Sequence, residues 1–515
     1  MQGSYRHRAI LLACGMLLHA AEPAAGAAAG DSVRIDPSRL PSTDRLRAWH
    51  AKKDAGGPTF SGSPAWQAHM RLIESGLRER GVVDLRREPL AYRRWYAPDD
   101  PAPGQRSLRI GDRDIPVASY WAYSGATAAS GVTAPLVPYD RTMSRADMAG
   151  RIVVFDVGGP PESMASAFVT GNEHATADLT GHDASLAPNQ WFQGNFVTRF
   201  GRFDTVLKGS GAAGAIVVFD MSPGRARGLY TFPLLNPGVF GVPGVYVDRV
   251  AGADVRAAAR ARLTATLTLV AHEEEVETWF LSGFLPGRDY GTPADEAVLL
   301  VTHSDGPNLT QVNGTFGILG IVDYFARTPR AERRRSLFLL FDPQHYMPGR
   351  HTVHWYKDHP AIVGRIVASV GVEQLGQSEF AEDGNDFELN GKAEPTLIFA
   401  QDNVRLVDLA IAAVKEMRLP RTEVRVPSRG GQGMWAGLGD FAIRYNRPGF
   451  ALSSAMSGYW TTTTGIESFD AALARRQIGA LVMLTQALMD ADLGDIAVPV
   501  VDPGKNPAMS PGTRR

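Results

Sequence analysis

Short apolar segments alternate with amphipathic segments in the second half of the chain. Runs of aliphatic and aromatic residues predict buried strands, and an apolar residue at every third or fourth position predicts a helix. The predicted strands cover residues 297–302, 336–341, 366–372 and 449–453, and the predicted helices cover 316–326, 404–417 and 471–489. This alternation predicts an α/β domain with a mixed, mostly parallel sheet sandwiched by helices.

The region 117–271 has a different pattern. Short apolar strands at residues 151–157 and 242–248 alternate with glycine-rich turns, and the segment 211–220 runs from a helix end into a strand. Before this region, residues 64–80 carry Trp66 and Met70 on one apolar helical face, and residues 82–92 read as a strand. We therefore expect a separate β-rich domain inserted into the α/β domain.

The N-terminus has the pattern of an export signal. Arg6 and Arg8 precede an apolar stretch at 9–21, and small residues follow at 24–30. This order predicts a signal peptide over residues 1–29 and an exported protein, periplasmic or secreted. A retained anchor helix is the alternative, although the stretch is short for a membrane span. The proline-, glycine- and arginine-containing tail, 499–515, is expected to be disordered.

Composition narrows the chemistry. The formal net charge of −1 argues against a nucleic-acid partner, and no later apolar segment is long enough to span a membrane. The one cysteine, Cys14, lies inside the predicted signal peptide. The mature chain would therefore lack thiols, which excludes cysteine catalysis and disulfides. Any metal would need nitrogen and oxygen ligands.

Polar side chains follow three of the predicted strands. His303 and Asp305 follow the first strand, Gln344 and His345 follow the second, and Glu373 follows the third. Open α/β sheets bind ligands at the carboxyl ends of their strands, where these residues are expected to converge. Imidazole and carboxylate groups could hold a divalent ion such as zinc there, or they could serve as ordinary hydrogen-bonded structure.

Several motifs carry a family resemblance over most of the mature chain. They are Ser61-Gly62-Ser63-Pro64-Ala65, Gly150-Arg151-Ile152-Val153, Gly211-Ala212-Ala213-Gly214-Ala215, His303-Ser304-Asp305, the helix start at 313–317, and 336–342. The chain resembles metallopeptidase family 28, which includes zinc aminopeptidases, glutamate carboxypeptidases and glutaminyl cyclases. Region 117–271 resembles a protease-associated domain. The resemblance implies that segments 30–116 and 272–498 together form one domain with a zinc-exopeptidase fold.

The resemblance also implies a metal site that has lost several residues. His303 stands where the family has a ligand, and Asp305 where it has the residue that orients this ligand. Asn313 replaces the metal-bridging aspartate, and Gln344 replaces the general base. Glutamine cannot accept a proton at a useful pH. Trp460, near Tyr459, stands where the last histidine ligand is expected.

What remains implies one zinc ion at most, held by His303, His345 and Glu373. Asp342 and Glu379 are the candidates for a replacement base. Asn313, Trp435, Tyr459 and Trp460 are candidate residues of a binding cleft.

Three functions remain open at this point. The first is a metallo-hydrolase acting on peptides or small amides, and the second is an inactive peptidase-fold protein that binds a partner or ligand. The third is a serine hydrolase using Ser304, for which no Gly-x-Ser-x-Gly motif exists. Four further histidines, His174, His182, His351 and His354, are expected to be surface or packing residues.

Overall fold

The structure is a computed structural model that describes residues 33–99, 102–157, 203–230, 238–347, 352–426, 438–454 and 461–500. Some predictions therefore lie outside the described residues. They concern the signal peptide, His174, His182, His351, Trp435, Tyr459, Trp460 and the tail beyond residue 500. No helix in the described ranges is long and apolar enough to cross a membrane.

The described elements follow the predicted alternation closely. The helices are α1 Thr43–Asp54, α2 Pro64–Glu79, α3 Arg145–Met148, α4 Phe203–Leu207, α5 Pro223–Ala226, α6 Arg249–Arg260, α7 Leu309–Val312, α8 Gly314–Ala326, α9 Thr352–Asp358, α10 Pro360–Val363, α11 Val404–Glu416, α12 Asp440–Arg444 and α13 Ala471–Asp490. The strands are β1 Val83–Tyr96, β2 Arg106–Ile110, β3 Arg113–Ile115, β4 Ser119–Tyr120, β5 Val132–Pro138, β6 Ile152–Val157, β7 Gly214–Phe219, β8 Gly244–Val247, β9 Thr264–Leu269, β10 His272–Leu285, β11 Ala297–His303, β12 Ser336–Asp342, β13 Ile366–Val372, β14 Ser378–Asp383, β15 Asp386–Ala393, β16 Thr396–Ala400, β17 Thr422–Arg425 and β18 Gly449–Ser454.

The first large sheet has the order β1-β10-β12-β11-β13-β18-β16-β17. Its centre is parallel, because β11 pairs in parallel with both β12 and β13, and β13 pairs in parallel with β18. Strands β1, β10 and β16 add antiparallel pairs at the flanks. The predicted mixed, mostly parallel sheet is therefore confirmed.

Both faces of this sheet are covered, which explains the continuous apolar runs of its strands. Along β11, Val298 and Leu300 join a core with helices α2, α8, α11 and α13, whereas Leu299 and Val301 join a second core that contains Trp355 and Phe441. Alternate side chains of a strand point to opposite faces, so a strand buried on both faces needs apolar residues at every position.

The second large sheet has the order β3-β2-β9-β5-β6-β7-β8-β4 and lies between Arg106 and Leu269 in the sequence. It has its own core, and helix α6 packs against it. The sheet agrees with the expectation of a β-rich region within the chain. Its identity as a protease-associated domain stays a prediction.

The second-sheet region contacts the carboxyl end of the first sheet. Leu229 pairs with Thr461, whose carbonyl accepts a hydrogen bond from the side-chain amide of Asn308 at 3.0 Å. The Tyr230 ring lies 6.0 Å from the ring of Tyr346, which follows β12. These contacts place the second-sheet region beside the ends of β11 and β12.

Candidate functional site

Three parallel strands bring the predicted residues to one edge of the first sheet. His303 ends β11 directly opposite Asp342, the last residue of β12, and Glu373 follows β13 on the other side of β11. His303, Asp305, Gln344 and Glu373 are all buried, and His345 is half-buried. The structure thus brings His303 within 3.7 Å of Glu373 and stacks the His345 ring on the His303 ring.

The tautomer of His303 follows from its hydrogen bonds. Nδ1 lies 2.8 Å from the Asp305 carbonyl oxygen, which can only accept, so Nδ1 must carry the proton. Nε2 therefore presents its lone pair, and it lies 3.7 Å from Glu373 Oε1. Burial lowers the pKa of His303 to about 4, so the ring is neutral at physiological pH.

Asp305 contacts His303 through its main chain, while its carboxylate supports the next loop. The carboxylate oxygens accept hydrogen bonds from the backbone N–H groups of His345 and Tyr346, at 3.0 and 2.6 Å. Burial raises the pKa of Asp305 well above its usual value. Asp305 thus fixes both the His303 ring and the turn that carries His345.

The His345 ring is stacked on the His303 ring. The ring centroids lie 4.0 Å apart, and the ring planes differ by 21°. The lone pair of an imidazole nitrogen lies in the plane of its ring, and two nearly parallel planes share no point within coordination distance of both rings. In this arrangement the two imidazoles cannot ligate the same ion, and His345 could join one only after its ring turns.

Glu373 and Gln344 each present an unpaired oxygen. Glu373 Oε1 and Gln344 Oε1 are buried, and neither has a hydrogen-bond partner among the described residues. Burial raises the pKa of Glu373 to about 8. Buried polar atoms are normally paired, so these two oxygens are candidates for contact with a bound ion or ligand.

Asn313 is bonded to the backbone and does not face His303. Its Nδ2 donates to the Leu375 carbonyl at 2.6 Å, and its Oδ1 accepts from the Leu375 N–H at 2.8 Å. An amide meets both needs, because it carries a donor and an acceptor, whereas a carboxylate would only accept. This pairing explains why the neutral residue suits the position.

Gln311 is the residue of this segment that contacts His303, and the sequence analysis missed it. Its Nε2 lies 3.3 Å from His303 Nε2, and its Oε1 accepts a hydrogen bond from the Tyr346 hydroxyl at 2.8 Å. Asn308 caps helix α7, because its Oδ1 accepts a hydrogen bond from the Gln311 backbone N–H at 3.1 Å. The available signal was weak, because Gln311 lies in a mostly polar stretch between Thr310 and Asn313.

Gln374 adds a buried donor beside Glu373. Its Oε1 accepts hydrogen bonds from the Ser454 N–H at 2.8 Å and the Ser453 hydroxyl at 2.9 Å. The other polar group of this side chain is the donor Nε2. This Nε2 has no partner among the described residues. The backbone of Gln374 is left-handed, with φ of 54°, a conformation that costs energy in residues other than glycine and is common at functional sites.

The other predicted residues are engaged in structural bonds. Asp342 accepts a hydrogen bond from the Gln344 N–H at 2.8 Å. Glu379 is paired with both terminal nitrogens of Arg421, at 2.9 and 3.0 Å. The Ser304 hydroxyl donates to the Asp342 carbonyl and lies 3.1 Å from Trp66 Nε1. These bonds leave Asp342 and Glu379 as weak candidates for a base and Ser304 as a weak candidate for a nucleophile.

The donor set fits one divalent ion in part. Two ligands of one zinc ion lie about 2 Å from it, so their atoms are about 3–4 Å apart. The pair of His303 Nε2 and Glu373 Oε1 meets this condition at 3.7 Å. Among the described residues, no group of three or more histidine, cysteine, aspartate or glutamate side chains is arranged to hold a metal.

The mixed sheet covered on both faces, with histidine and carboxylate groups at its carboxyl edge, is the α/β architecture of several solved peptidases. Solved structures of that architecture match nearly the whole chain. A peptidase M28 precursor from Shewanella amazonensis has a TM-score of 0.60 and 14% identity over 90% of this chain and 100% of its own. The confirmed likeness is one of fold.

Two aminopeptidases give similar values. The aminopeptidase from Aneurinibacillus sp. strain AM-1 has a TM-score of 0.56 and 14% identity, covering 90% of this chain and 98% of its own. BSAP, a zinc aminopeptidase from Bacillus subtilis, has a TM-score of 0.55 and 15% identity, covering 90% of this chain and 100% of its own. No protein-family model and no curated protein matches the sequence. The chain therefore has the fold of these peptidases.

Proposed function

We propose that this chain is an exported hydrolase that acts on peptide or small amide substrates with a single divalent ion, such as zinc, at His303 and Glu373. One observation carries the proposal. Glu373 Oε1 is buried without a hydrogen-bond partner among the described residues, and it lies 3.7 Å from His303 Nε2. The zinc aminopeptidase among the structural neighbours supports the same chemistry.

The chain's own residues would hold and orient the ion. The Asp305 carbonyl keeps the proton of His303 on Nδ1, so Nε2, which lies 3.3 Å from Gln311 Nε2, carries the lone pair that would bind the ion. His345 is the candidate third ligand, and its partial exposure allows its ring to turn. A bound zinc ion would polarise the substrate carbonyl and make a water molecule acidic. Gln344 cannot act as the base, so slow turnover is expected.

Two unpaired polar groups, one after β12 and one after β13, support an amide substrate. Gln374 Nε2 is an unpaired donor, and Gln344 Oε1 is an unpaired acceptor. An amide group has a carbonyl oxygen that accepts and an N–H that donates, so it offers a partner to either group. A site built to pair with polar ligand groups discriminates strongly against analogues that lack them.

Export belongs to the same proposal. The basic, apolar and small-residue segments of the first 29 residues support a secretory route to the periplasm or beyond. The mature chain would have no cysteine, which suits an oxidising compartment.

A second candidate function is ligand binding without hydrolysis. The specific observation in its favour is that the Gln311 amide already contacts the metal-facing nitrogen of His303. Gln344, which stands where the resemblance implies a general base and cannot accept a proton, also favours binding without hydrolysis.

Hydrolysis assays on the mature chain, residues 30–515, separate the two candidates. We expect slow cleavage of leucine p-nitroanilide or of a dipeptide amide, and its loss with a chelator and its recovery with zinc. H303A and E373Q should lower the rate by at least about tenfold, whereas H354A, a histidine outside the site, should leave it unchanged. Ligand binding with no chelator-sensitive cleavage would reject the hydrolase and favour the second candidate.

A further inference from the structure

We propose that Gln311 controls metal binding at this site, because its carboxamide competes with a metal ion for His303 Nε2. The inference rests on the proposed metal-binding role of His303 and Glu373, and it assigns the affinity of that site to two further residues, Gln311 and Tyr346.

The geometry places the Gln311 amide at the free nitrogen of His303. Nδ1 of that ring is committed to the Asp305 carbonyl, so Nε2 is an acceptor. Gln311 Nε2, a donor, lies 3.3 Å away. A metal ion binds through the same lone pair, so a bound ion and this hydrogen bond exclude each other.

Tyr346 holds the amide in this orientation. Its hydroxyl donates to Gln311 Oε1 at 2.8 Å, so the oxygen points to Tyr346 and the nitrogen points to His303. Both side chains are buried, which strengthens the preference for paired groups. Without the Tyr346 hydroxyl, the amide could turn and present its oxygen, which is itself a metal ligand.

The arrangement therefore stabilises the ion-free state in two ways. The Gln311 N–H group satisfies His303, and the Tyr346 hydroxyl keeps the Gln311 oxygen away from the point between His303 and Glu373. Metal binding must break the first bond and gains nothing from the amide while the second bond persists. We expect the wild-type chain to bind zinc more weakly than a variant without either bond.

Zinc titration by calorimetry on the mature chain tests this competition without relying on activity. Q311A should bind zinc at least about tenfold more tightly, because a buried hydrogen bond no longer has to be broken. Y346F should shift the affinity in the same direction by a smaller factor. Q486A removes a glutamine of helix α13 that donates to Asp490, and it should leave the affinity unchanged.

Cobalt absorption provides a second readout, since its visible bands report the number and type of ligands. Y346F is the conservative variant, so it keeps the test informative if Q311A unfolds. Equal zinc affinities in wild type, Q311A and Y346F would overturn the inference and leave the proposed function intact. Tight binding in Q311A with none in wild type would support the inference and reject a metal-dependent wild type. No binding in any variant would overturn both.

Discussion

At the scale of single residues, the site is defined by which polar groups are already paired. Asn313 and Gln311 are both amides in one short segment, but Asn313 is bonded to the backbone of Leu375 and Gln311 is bonded to His303 and Tyr346. Their sequence positions alone do not separate these roles. The hydrogen bonds do, and they make different predictions for each residue.

Asn313→Asp is predicted to destabilise the protein near neutral pH. The new carboxylate would face the Leu375 carbonyl in place of a donor, so one buried hydrogen bond becomes a repulsion. We expect a loss of about 1–3 kcal/mol in the free energy of unfolding, measured with urea. Lowering the pH should restore part of the loss, since a protonated carboxyl can donate again. A loss that does not depend on pH would contradict this role.

Glu373 is predicted to make stability fall as pH rises. Its pKa is raised to about 8 by burial, so the folded state keeps its proton where the unfolded state has lost it. The resulting stabilisation is complete below the unfolded pKa, near 4.5, and is lost as pH rises toward 8.

Urea unfolding of wild type and E373Q at several pH values, with chelator present, isolates this contribution. E373Q cannot ionise at this position, so its advantage over wild type should grow between pH 5 and pH 8. A constant difference between the two proteins over this range would show that Glu373 is not protonated in the fold.

At the scale of elements, the strands carry the chemistry and the helices hold the strands in place. Helix α13 closes the sheet, and its C-terminal carbonyls are satisfied by Arg335, just before β12. Arg335 donates to the carbonyls of Leu488, Met489 and Ala491 at 3.0, 3.0 and 2.8 Å, and its Nε bonds Glu296 at 2.8 Å. A buried cation at a helix C-terminus satisfies orphan carbonyls and the helix dipole together.

Arg335→Ala is therefore predicted to lower the free energy of unfolding by about 2–3 kcal/mol. Arg334→Ala is the matched control, because Arg334 bonds the neighbouring Asp490 and Asp492 from an exposed position, and its loss should cost less than about 0.5 kcal/mol. Equal effects in the two variants, measured by urea unfolding, would contradict the capping role.

The elements could be predicted from the sequence more readily than the site. Strands β11 and β12 are buried at every position, and their residues 297–301 and 337–341 are all apolar because both faces are covered, which leaves a clear pattern. The convergence of His303 and Glu373 follows from parallel pairing. The stacking of His345 on His303 and the position of Gln311 depend on side-chain rotamers and on hydrogen bonds between distant segments, which periodicity does not encode.

At the scale of the whole molecule, hydrogen bonds and ion pairs join the second-sheet region to the β14–β15 hairpin, which forms a separate two-stranded sheet. Glu382, on the β14–β15 hairpin, bonds the Ser222 N–H at 2.8 Å and Arg225 at 3.3 Å, and it also contacts Arg249. The carboxylate of Glu382 and the guanidinium of Arg225 are nearly inaccessible to solvent. The hairpin thus joins the second-sheet region to the domain that carries the site.

Glu382→Ala is predicted to destabilise the protein by about 1–3 kcal/mol, because it removes one acceptor of the buried Arg225 guanidinium and the acceptor of the Ser222 N–H. Glu388→Ala, an exposed change on the same hairpin, is the control and should have little effect. Hydrogen exchange should quicken in helix α5 and β15 of the first variant. Unchanged exchange in both elements would show that Glu382 does not hold this contact.

The number of zinc ions bound per chain tests the central claim most directly. The mature protein would be saturated with zinc, freed of excess ion, and analysed for metal together with H303A and H354A. We predict one ion per chain in wild type and in H354A, and none in H303A, because His303 and Glu373 provide a single metal-binding point. Two ions per chain, no ion in wild type, or an unchanged content in H303A would contradict the account.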